Sequence, residues 1–200
     1  MSKEKKYYDN ISVSKRTKQT AYFVAQHDKM SMLELVLYGC NDKQIIIIAK
    51  SKKLADEVYF FLKDKNLKVF AIHGNHKKDV VDKMAQSFND KELNILITTD
   101  MILQSLSLDG IEVVINYDLP FECENYFKGL KLVDEVGESV LFVSPDDEKL
   151  FATLELMIKM EIEEGVMDGF TPTPYVEKNT TKKKKPRHKK VKKVSKPIES

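Results

Sequence analysis

The chain has 200 residues, of which 42% are hydrophobic and 32% are charged, a composition that suits a globular domain with its own core. Residues 178–200 contain 11 Lys/Arg and one Glu, whereas the other 177 residues contain 22 Lys/Arg and 30 Asp/Glu. An acidic body of net charge −8 is therefore followed by a basic tail of net charge +10. Two cysteines and no long apolar run exclude a disulfide framework, a signal peptide and a membrane span, so we expect a cytoplasmic protein.

Strands and helices alternate along the predicted body. Short apolar runs rich in β-branched residues predict strands at 19–25, 45–48, 69–72, 95–98, 113–115 and 139–143. Apolar positions at helical spacing predict helices at 28–39, 52–62, 79–88, 122–132 and 145–164. Ser51 and Ser144 are the predicted N-caps of two of these helices. The alternation indicates βαβ units and a mostly parallel sheet.

Three regions follow from this pattern. Residues 1–18 are polar and basic and are interpreted as a flexible arm, residues 19–168 as the folded domain, and residues 169–200 as a linker and a disordered Lys-rich tail. The chain contains only two arginines, Arg16 and Arg187, and both are expected to lie outside the folded core. The body then has no arginine with which to bind a phosphate through two parallel hydrogen bonds.

A family resemblance is clearest in residues 94–120. One strand there ends in Thr98-Thr99-Asp100, and the next continues into VINYDLP at Val114–Pro120. This stretch resembles the second RecA-like domain of DEAD-box RNA helicases, where A-T-D, then V-A-A-R-G-L-D, then V-I-N-Y-D-L-P occur in the same order. The resemblance extends over about residues 18–165. It implies a RecA-like three-layer α/β sandwich with helices on both faces of the sheet.

The residues that carry the family's chemistry are largely replaced. In the R-G-L-D segment, Gln104 stands for the arginine, Ser105 for the glycine and Ser107 for the aspartate. In the family's Y-x-H-R-I-G-R-T-G-R motif, the three arginine positions are occupied by Gly129, Leu132 and Glu135.

The phosphate loop and the D-E-A-D motif of the first RecA-like domain have no counterpart. No catalytic residue is therefore assigned. ATP is expected as a cofactor only if a separate chain supplies the first RecA-like domain.

The resemblance nevertheless implies candidate ligand contacts. His73, Gly74 and Thr99 match positions near the RNA backbone, although a tight strand exit at His73-Gly74 and a helix cap at Thr99 are the favoured explanation of these residues. The degenerate nucleotide-binding positions are Asp100, Ser107, Lys128 and Lys131. His73 and His76 have a metal-like spacing, but no third ligand is evident, so no metal site is predicted.

The basic tail carries the clearest signal for a partner. Dense positive charge binds phosphate backbones through counterion release, without sequence preference. The candidate RNA-binding residues of the tail are Lys182, Lys183, Lys184, Lys185, Arg187, Lys189, Lys190, Lys192 and Lys193. The tail contains no aromatic residue among them, so base stacking is not expected there. A tail that serves only solubility remains an alternative, and membrane binding is not favoured because the segment is not amphipathic.

These observations predict a stand-alone, catalytically inactive protein resembling a helicase C-terminal domain, which associates with RNA or ribonucleoprotein through its tail. One alternative is half of a split ATP-dependent RNA helicase. Another is a protein-interaction module, or a decoy that pairs with a genuine helicase through the acidic body. Tyr59 and the Phe60-Phe61 pair are interpreted as packing residues rather than as a platform for bases.

Overall fold

The computed structural model describes residues 10–40 and 42–174, without the side chains of residues 134–136. Seven strands form one sheet in the order β3-β4-β2-β5-β6-β1-β7. The strands are β1 Lys18–Phe23, β2 Ile45–Ile48, β3 Val69–Ile72, β4 Ile95–Thr98, β5 Ile111–Asn116, β6 Val133–Val143 and β7 Glu163–Glu164. The helices are α1 Asn10–Arg16, α2 Lys29–Tyr38, α3 Lys52–Lys63, α4 Lys78–Asn89, α5 Asp100–Leu103, α6 Cys123–Leu132 and α7 Glu148–Ile158.

Strand β2 is an inner strand of the sheet, between β4 and β5, and is buried on both faces. It pairs in parallel with β4 and β5, so that Ile47 lies opposite Ile97 on one side and Ile115 on the other. Successive isoleucines alternate between a core under α2 and α3 and a core on the opposite face. Helices α1, α6 and α7 cover that opposite face next to β1 and β6. The predicted three-layer α/β architecture is confirmed.

The N-terminal prediction is wrong for residues 10–18. Residues 10–16 form α1, whose Val13 is fully buried against α6 and α7, and Lys18 already belongs to β1. Arg16 is consequently part of the fold, and its Nη2 donates a hydrogen bond to the carbonyl of Val133 at 3.1 Å. The segment offers few apolar residues at helical spacing, so the sequence alone gives little sign that it packs.

The end of the predicted last helix is also wrong. Helix α7 stops at Ile158, and Lys159 adopts a left-handed conformation with φ of 56°. The chain then turns back to form β7 along the outer edge of β1, where the Gly165 amide donates to the Ala21 carbonyl at 2.8 Å. A Cβ at Gly165 would lie 2.5 Å from the Tyr22 ring, so only glycine fits this crossing.

Folded contacts continue beyond residue 168. Met167 and Phe170 pack against the core under α2. The Thr173 amide and hydroxyl donate to the two carboxylate oxygens of Asp28, at 3.0 Å and 2.6 Å. The hydrogen bond from the Thr173 hydroxyl is the largest influence on Asp28 and lowers the pKa of its carboxyl. The chain therefore leaves the described domain beside the N-terminus of α2.

Candidate nucleic-acid interface

The candidate residues gather where parallel strands end. His73 follows β3, Thr99 follows β4 and Lys50 follows β2, and β4 lies between the other two strands. Because neighbouring strands run in parallel, their carboxyl ends meet at one edge of the sheet. Open α/β sheets bind their ligands at this edge. We refer to it as the carboxyl edge.

The side chain of His73 points into the protein and not to solvent. It is 4% exposed, and its Nε2 lies 2.9 Å from Asp56 Oδ1. Its ring also packs against that of His76, with 4.3 Å between the centroids. The imidazole is therefore occupied by internal contacts, and the loop around His73 could meet a ligand only through its backbone and through Gly74.

Gly74 is exposed and lies next to a lysine from the start of helix α3. A Cβ built on Gly74 would lie 3.4 Å from Lys52 Nζ. The same ammonium donates to Asn75 Oδ1 at 2.8 Å. Lys52 thus joins the N-terminus of α3, which follows β2, to the loop after β3.

Lys52 belongs to a cluster of positive charge that the sequence reasoning missed. We define the lysine corner as Lys50, Lys52, Lys53, Lys77 and Lys78, all of which are exposed. Neighbouring carboxylates come from Asp56, Glu57, Asp79 and Asp118. Glu57 Oε1 lies 3.4 Å from Lys53 Nζ, and Asp118 Oδ1 lies 3.5 Å from Lys50 Nζ. Five lysines thus accompany four carboxylates, and the corner keeps a small positive balance within an acidic body. The available signal was the pair of motifs AKSKK and HKKD, each following a predicted strand closely.

Thr99 is half-buried between the two loops of the lysine corner. Its carbonyl accepts hydrogen bonds from the amides of Ile102 and Leu103, both at 3.0 Å, which begins α5. Its hydroxyl makes no capping hydrogen bond to that helix. A role as a side-chain cap therefore does not account for Thr99, whereas a hydroxyl at this edge can position a phosphate.

The degenerate nucleotide-binding residues are only partly brought together. Burial raises the pKa of the Asp100 carboxyl, and the Lys128 ammonium acts in the opposite direction, which places the two groups near each other. Lys128 Nζ also donates to Asn125 Oδ1 at 3.1 Å. Ser107 makes its described contact elsewhere, since its carbonyl accepts from Asn89 on α4 at 3.0 Å. Lys131 is exposed on α6.

A buried ion pair links segments that meet at the carboxyl edge. Lys29 is fully buried, and its Nζ lies 3.1 Å from Asp118 Oδ1 and 3.7 Å from Asp147 Oδ2. Lys50 Nζ approaches the same Asp118 oxygen at 3.5 Å. These contacts connect the first residue of α2 to the segments that follow β5, β6 and β2. They therefore hold these segments together at the carboxyl edge.

The model of the helicase conserved C-terminal domain matches residues 28–129, half of the chain. The chain belongs to this family. Among its relatives, the DEAD-box ATP-dependent RNA helicase RhpA of Helicobacter pylori is 27% identical over 148 residues, which cover 72% of this chain and 30% of RhpA. The chain spans about a third of the length of the curated relatives it matches.

Solved structures share the fold of this helicase C-terminal domain. Saccharomyces cerevisiae Dbp5 bound to RNA and ADP BeF3 superposes with a TM-score of 0.73 at 19% identity, over 81% of this chain and 45% of that chain. Escherichia coli SrmB bound to regulator of ribonuclease activity A superposes with a TM-score of 0.73 at 16% identity, over 80% of this chain and 96% of that chain. These similarities confirm the RecA-like fold.

Two family arginine positions are apolar and packed in this helicase C-terminal domain. Gly129 is buried, and a Cβ there would touch Ile48 and Val114 at 3.4 Å and 3.8 Å. Leu132 packs against the core that contains Ile46 and Ile48. Arg16 meets β6 at Val133, where that strand starts, which is the edge of the sheet opposite the candidate interface.

Some of the predicted site residues of this helicase C-terminal domain lie outside the described residues. They are the side chain of Glu135 and the whole tail set, Lys182, Lys183, Lys184, Lys185, Arg187, Lys189, Lys190, Lys192 and Lys193. Within residues 10–40 and 42–174, no cluster of three or more His, Cys, Asp or Glu could hold a metal ion. No helix in that same part of the chain is long and apolar enough to cross a membrane.

Proposed function

We propose that this helicase C-terminal domain is catalytically inactive and associates with RNA or ribonucleoprotein. The basic tail supplies most of the affinity, and the lysine corner supplies a second, weaker contact at the carboxyl edge. The observation that carries the proposal is the contrast between two sets of positions. At the family's arginine positions, Gly129 is buried and Leu132 packs against the core, whereas the cations around Gly74 are exposed lysines.

The proposed lack of catalytic activity follows from the chemistry of phosphoryl transfer. An arginine that reaches the transferred phosphate raises the rate by roughly 10³–10⁵ in well-studied enzymes. Glycine and leucine carry no charge that could replace it. Lys128 lies on the same helix, but an ammonium cannot reproduce the planar fork of a guanidinium, and its described hydrogen bond goes to Asn125.

The RNA-binding part follows from charge. Eleven basic residues within residues 178–200 can neutralise several phosphates and release their counterions. The lysine corner adds exposed ammonium groups beside the Thr99 hydroxyl and the backbone of Gly74, and such groups position phosphates without reading sequence. The remaining surface is net acidic, so we assign it to protein partners and not to RNA.

The experiment is a salt titration of RNA binding by the full chain. A labelled single-stranded RNA of mixed sequence is titrated at salt concentrations between about 50 and 200 mM. With about six phosphates contacted, we expect the affinity to fall by roughly 300-fold over this range. As a control, exchanging the sequence for a homopolymer of equal length should change the affinity far less than salt does. An affinity independent of salt, or no binding at the lowest salt concentration, would contradict the proposed RNA association.

A further inference from the structure

The segment that leads to the basic tail runs along the outer edge of the sheet. Strand β7 is parallel to β1, so the chain after it continues towards the carboxyl edge, where β1 ends. On the way, Met167 and Phe170 pack against the core under α2. We call residues 163–173 the strap. The strap brings the chain to the same edge of the sheet as the candidate interface.

The strap ends in a group of polar contacts, which we call the latch and define as Thr173 with His27 and Asp28. The amide and the hydroxyl of Thr173 donate to the two oxygens of the Asp28 carboxylate. The carbonyl oxygen of Thr173 lies 3.1 Å from His27 Nε2. Asp28 is only 3% exposed, although Thr173 lies at the surface. The latch therefore fixes the position of the chain shortly before the tail begins.

The latch and the lysine corner are connected through the buried ion pair. Asp28 precedes Lys29, whose ammonium contacts Asp118, and Lys50 contacts the same Asp118 oxygen. Strands β1 and β2 are three positions apart in the sheet, which corresponds to about 15 Å. Strand β3, which precedes the other lysines of the corner, is two positions farther, or about 24 Å from β1.

The tail starts within reach of the lysine corner. Eight residues separate Thr173 from Lys182, the first of the predicted RNA-binding lysines. Whatever its conformation, a segment of this length spans at most about 32 Å. This limit is close to the distance over which the corner extends from the latch. A single RNA strand at the carboxyl edge can therefore contact the corner and the tail together.

We infer that the strap and its latch position the tail so that the tail and the lysine corner bind one RNA strand at the same time. The inference rests on the proposed function, since it takes RNA to be the ligand of both. The corner has only a small positive balance and binds weakly alone. A tail that holds RNA beside it raises the local concentration of phosphate, so the joint affinity exceeds that of either site.

Exposed carboxylates at the same edge offer the tail a different partner. Glu122 precedes α6, and Asp146 and Glu148 lie at the start of α7. A tail held by these groups would compete with RNA instead of recruiting it. RNA is favoured because each of its nucleotides carries a phosphate and because its condensed counterions are released on binding. The two arrangements predict opposite effects of a longer connection between the latch and the tail.

The test lengthens that connection in the full chain. A flexible Gly/Ser segment of about 40 residues is inserted after Pro174, which leaves the latch intact. Because effective concentration falls as about the −3/2 power of linker length, the affinity for a single-stranded RNA of about 30 nucleotides should fall by roughly 10-fold. The affinity for an RNA of about six nucleotides, which is too short to bind both sites, should not change. Fluorescence anisotropy at low salt measures both affinities.

Two controls isolate the effect of spacing. The same Gly/Ser segment added after Ser200 lengthens the chain without separating the latch from the tail, and it should leave both affinities unchanged. In a second background, Lys52, Lys53, Lys77 and Lys78 are replaced by glutamine. Insertion after Pro174 should then have no effect on the long RNA, because the corner no longer contributes and the two changes are coupled.

The outcomes separate this inference from the proposed function. An affinity for the long RNA that is unchanged by the insertion would overturn joint binding while leaving the salt-dependent RNA association intact. An increase in affinity would also overturn it and would show that the exposed carboxylates hold the tail. An equal decrease in the background without the four lysines would overturn the role of the corner. Failure of the natural chain to bind the long RNA at low salt would contradict the proposed function itself.

Discussion

Ending the chain at Glu177 is expected to lower its affinity for single-stranded RNA by about 100-fold at about 50 mM salt, since several phosphates are then no longer neutralised. Residues 178–200 carry a net charge of +10, and the rest of the chain carries −8. Within residues 10–40 and 42–174, the shortened chain keeps the lysine corner as its concentrated positive surface. Fluorescence anisotropy with a labelled RNA measures the change, and the slope of affinity against salt concentration should decrease with it.

A length-matched control separates charge from chain length. Replacing Lys189, Lys190, Lys192 and Lys193 by glutamine keeps the tail but removes four charges. The salt slope should then decrease by about 0.7 for each phosphate that the tail no longer binds, with an affinity between those of the full and shortened chains. If the shortened chain binds as tightly as the full chain, the carboxyl edge alone holds the RNA and the tail has no part in binding.

Replacing Lys29 by methionine is expected to lower the free energy of unfolding by about 3–5 kcal/mol, because one partner of a buried ion pair is left without its counter-charge. Lys29 is fully buried and contacts Asp118, whose side chain is only 4% exposed. Without the ammonium, the carboxylates of Asp118 and Asp147 lose the cation that lies between them. Urea unfolding at constant m-value measures the loss.

Two further variants test whether burial is the cause. Lys50 contacts the same Asp118 oxygen but is 49% exposed, so Lys50→Met should cost less than about 1 kcal/mol. A double variant, Lys29→Met with Asp118→Leu, should recover part of the stability, because it removes both buried charges. Equal losses for Lys29→Met and Lys50→Met would refute the assignment of Lys29 as the structural cation of this edge.

The central sheet could be predicted because its strands are continuous apolar runs. The predicted bounds are confirmed for the strands at Ile45–Ile48, Val69–Ile72 and Ile95–Thr98. Inner parallel strands are covered on both faces, so each is a continuous apolar run whose ends are marked by the first polar residues. Strand β7 could not be predicted in this way. Its residues, Glu163 and Glu164, are exposed and acidic, and they form a strand only because β1 offers an open edge beside them.

The candidate interface was predictable in position but not in detail. The family spacing correctly places His73, Gly74 and Thr99 at the carboxyl ends of β3 and β4. It does not reveal that the His73 imidazole turns inward to Asp56, because that depends on packing between β3 and α3. The burial of Lys29 is equally hidden, because its partner Asp118 is 89 residues away in the chain.

The most direct test of the account asks whether this chain can complete an ATPase. The full chain is mixed with a separately produced first RecA-like domain of a DEAD-box helicase, RNA and ATP, and phosphate release is measured. We expect no hydrolysis above that of the first domain alone, because Gly129 and Leu132 stand where the family places arginines. Hydrolysis that appears only with this chain, and disappears on Lys128→Ala or Lys131→Ala, would contradict the account and show that lysines replace the missing arginines.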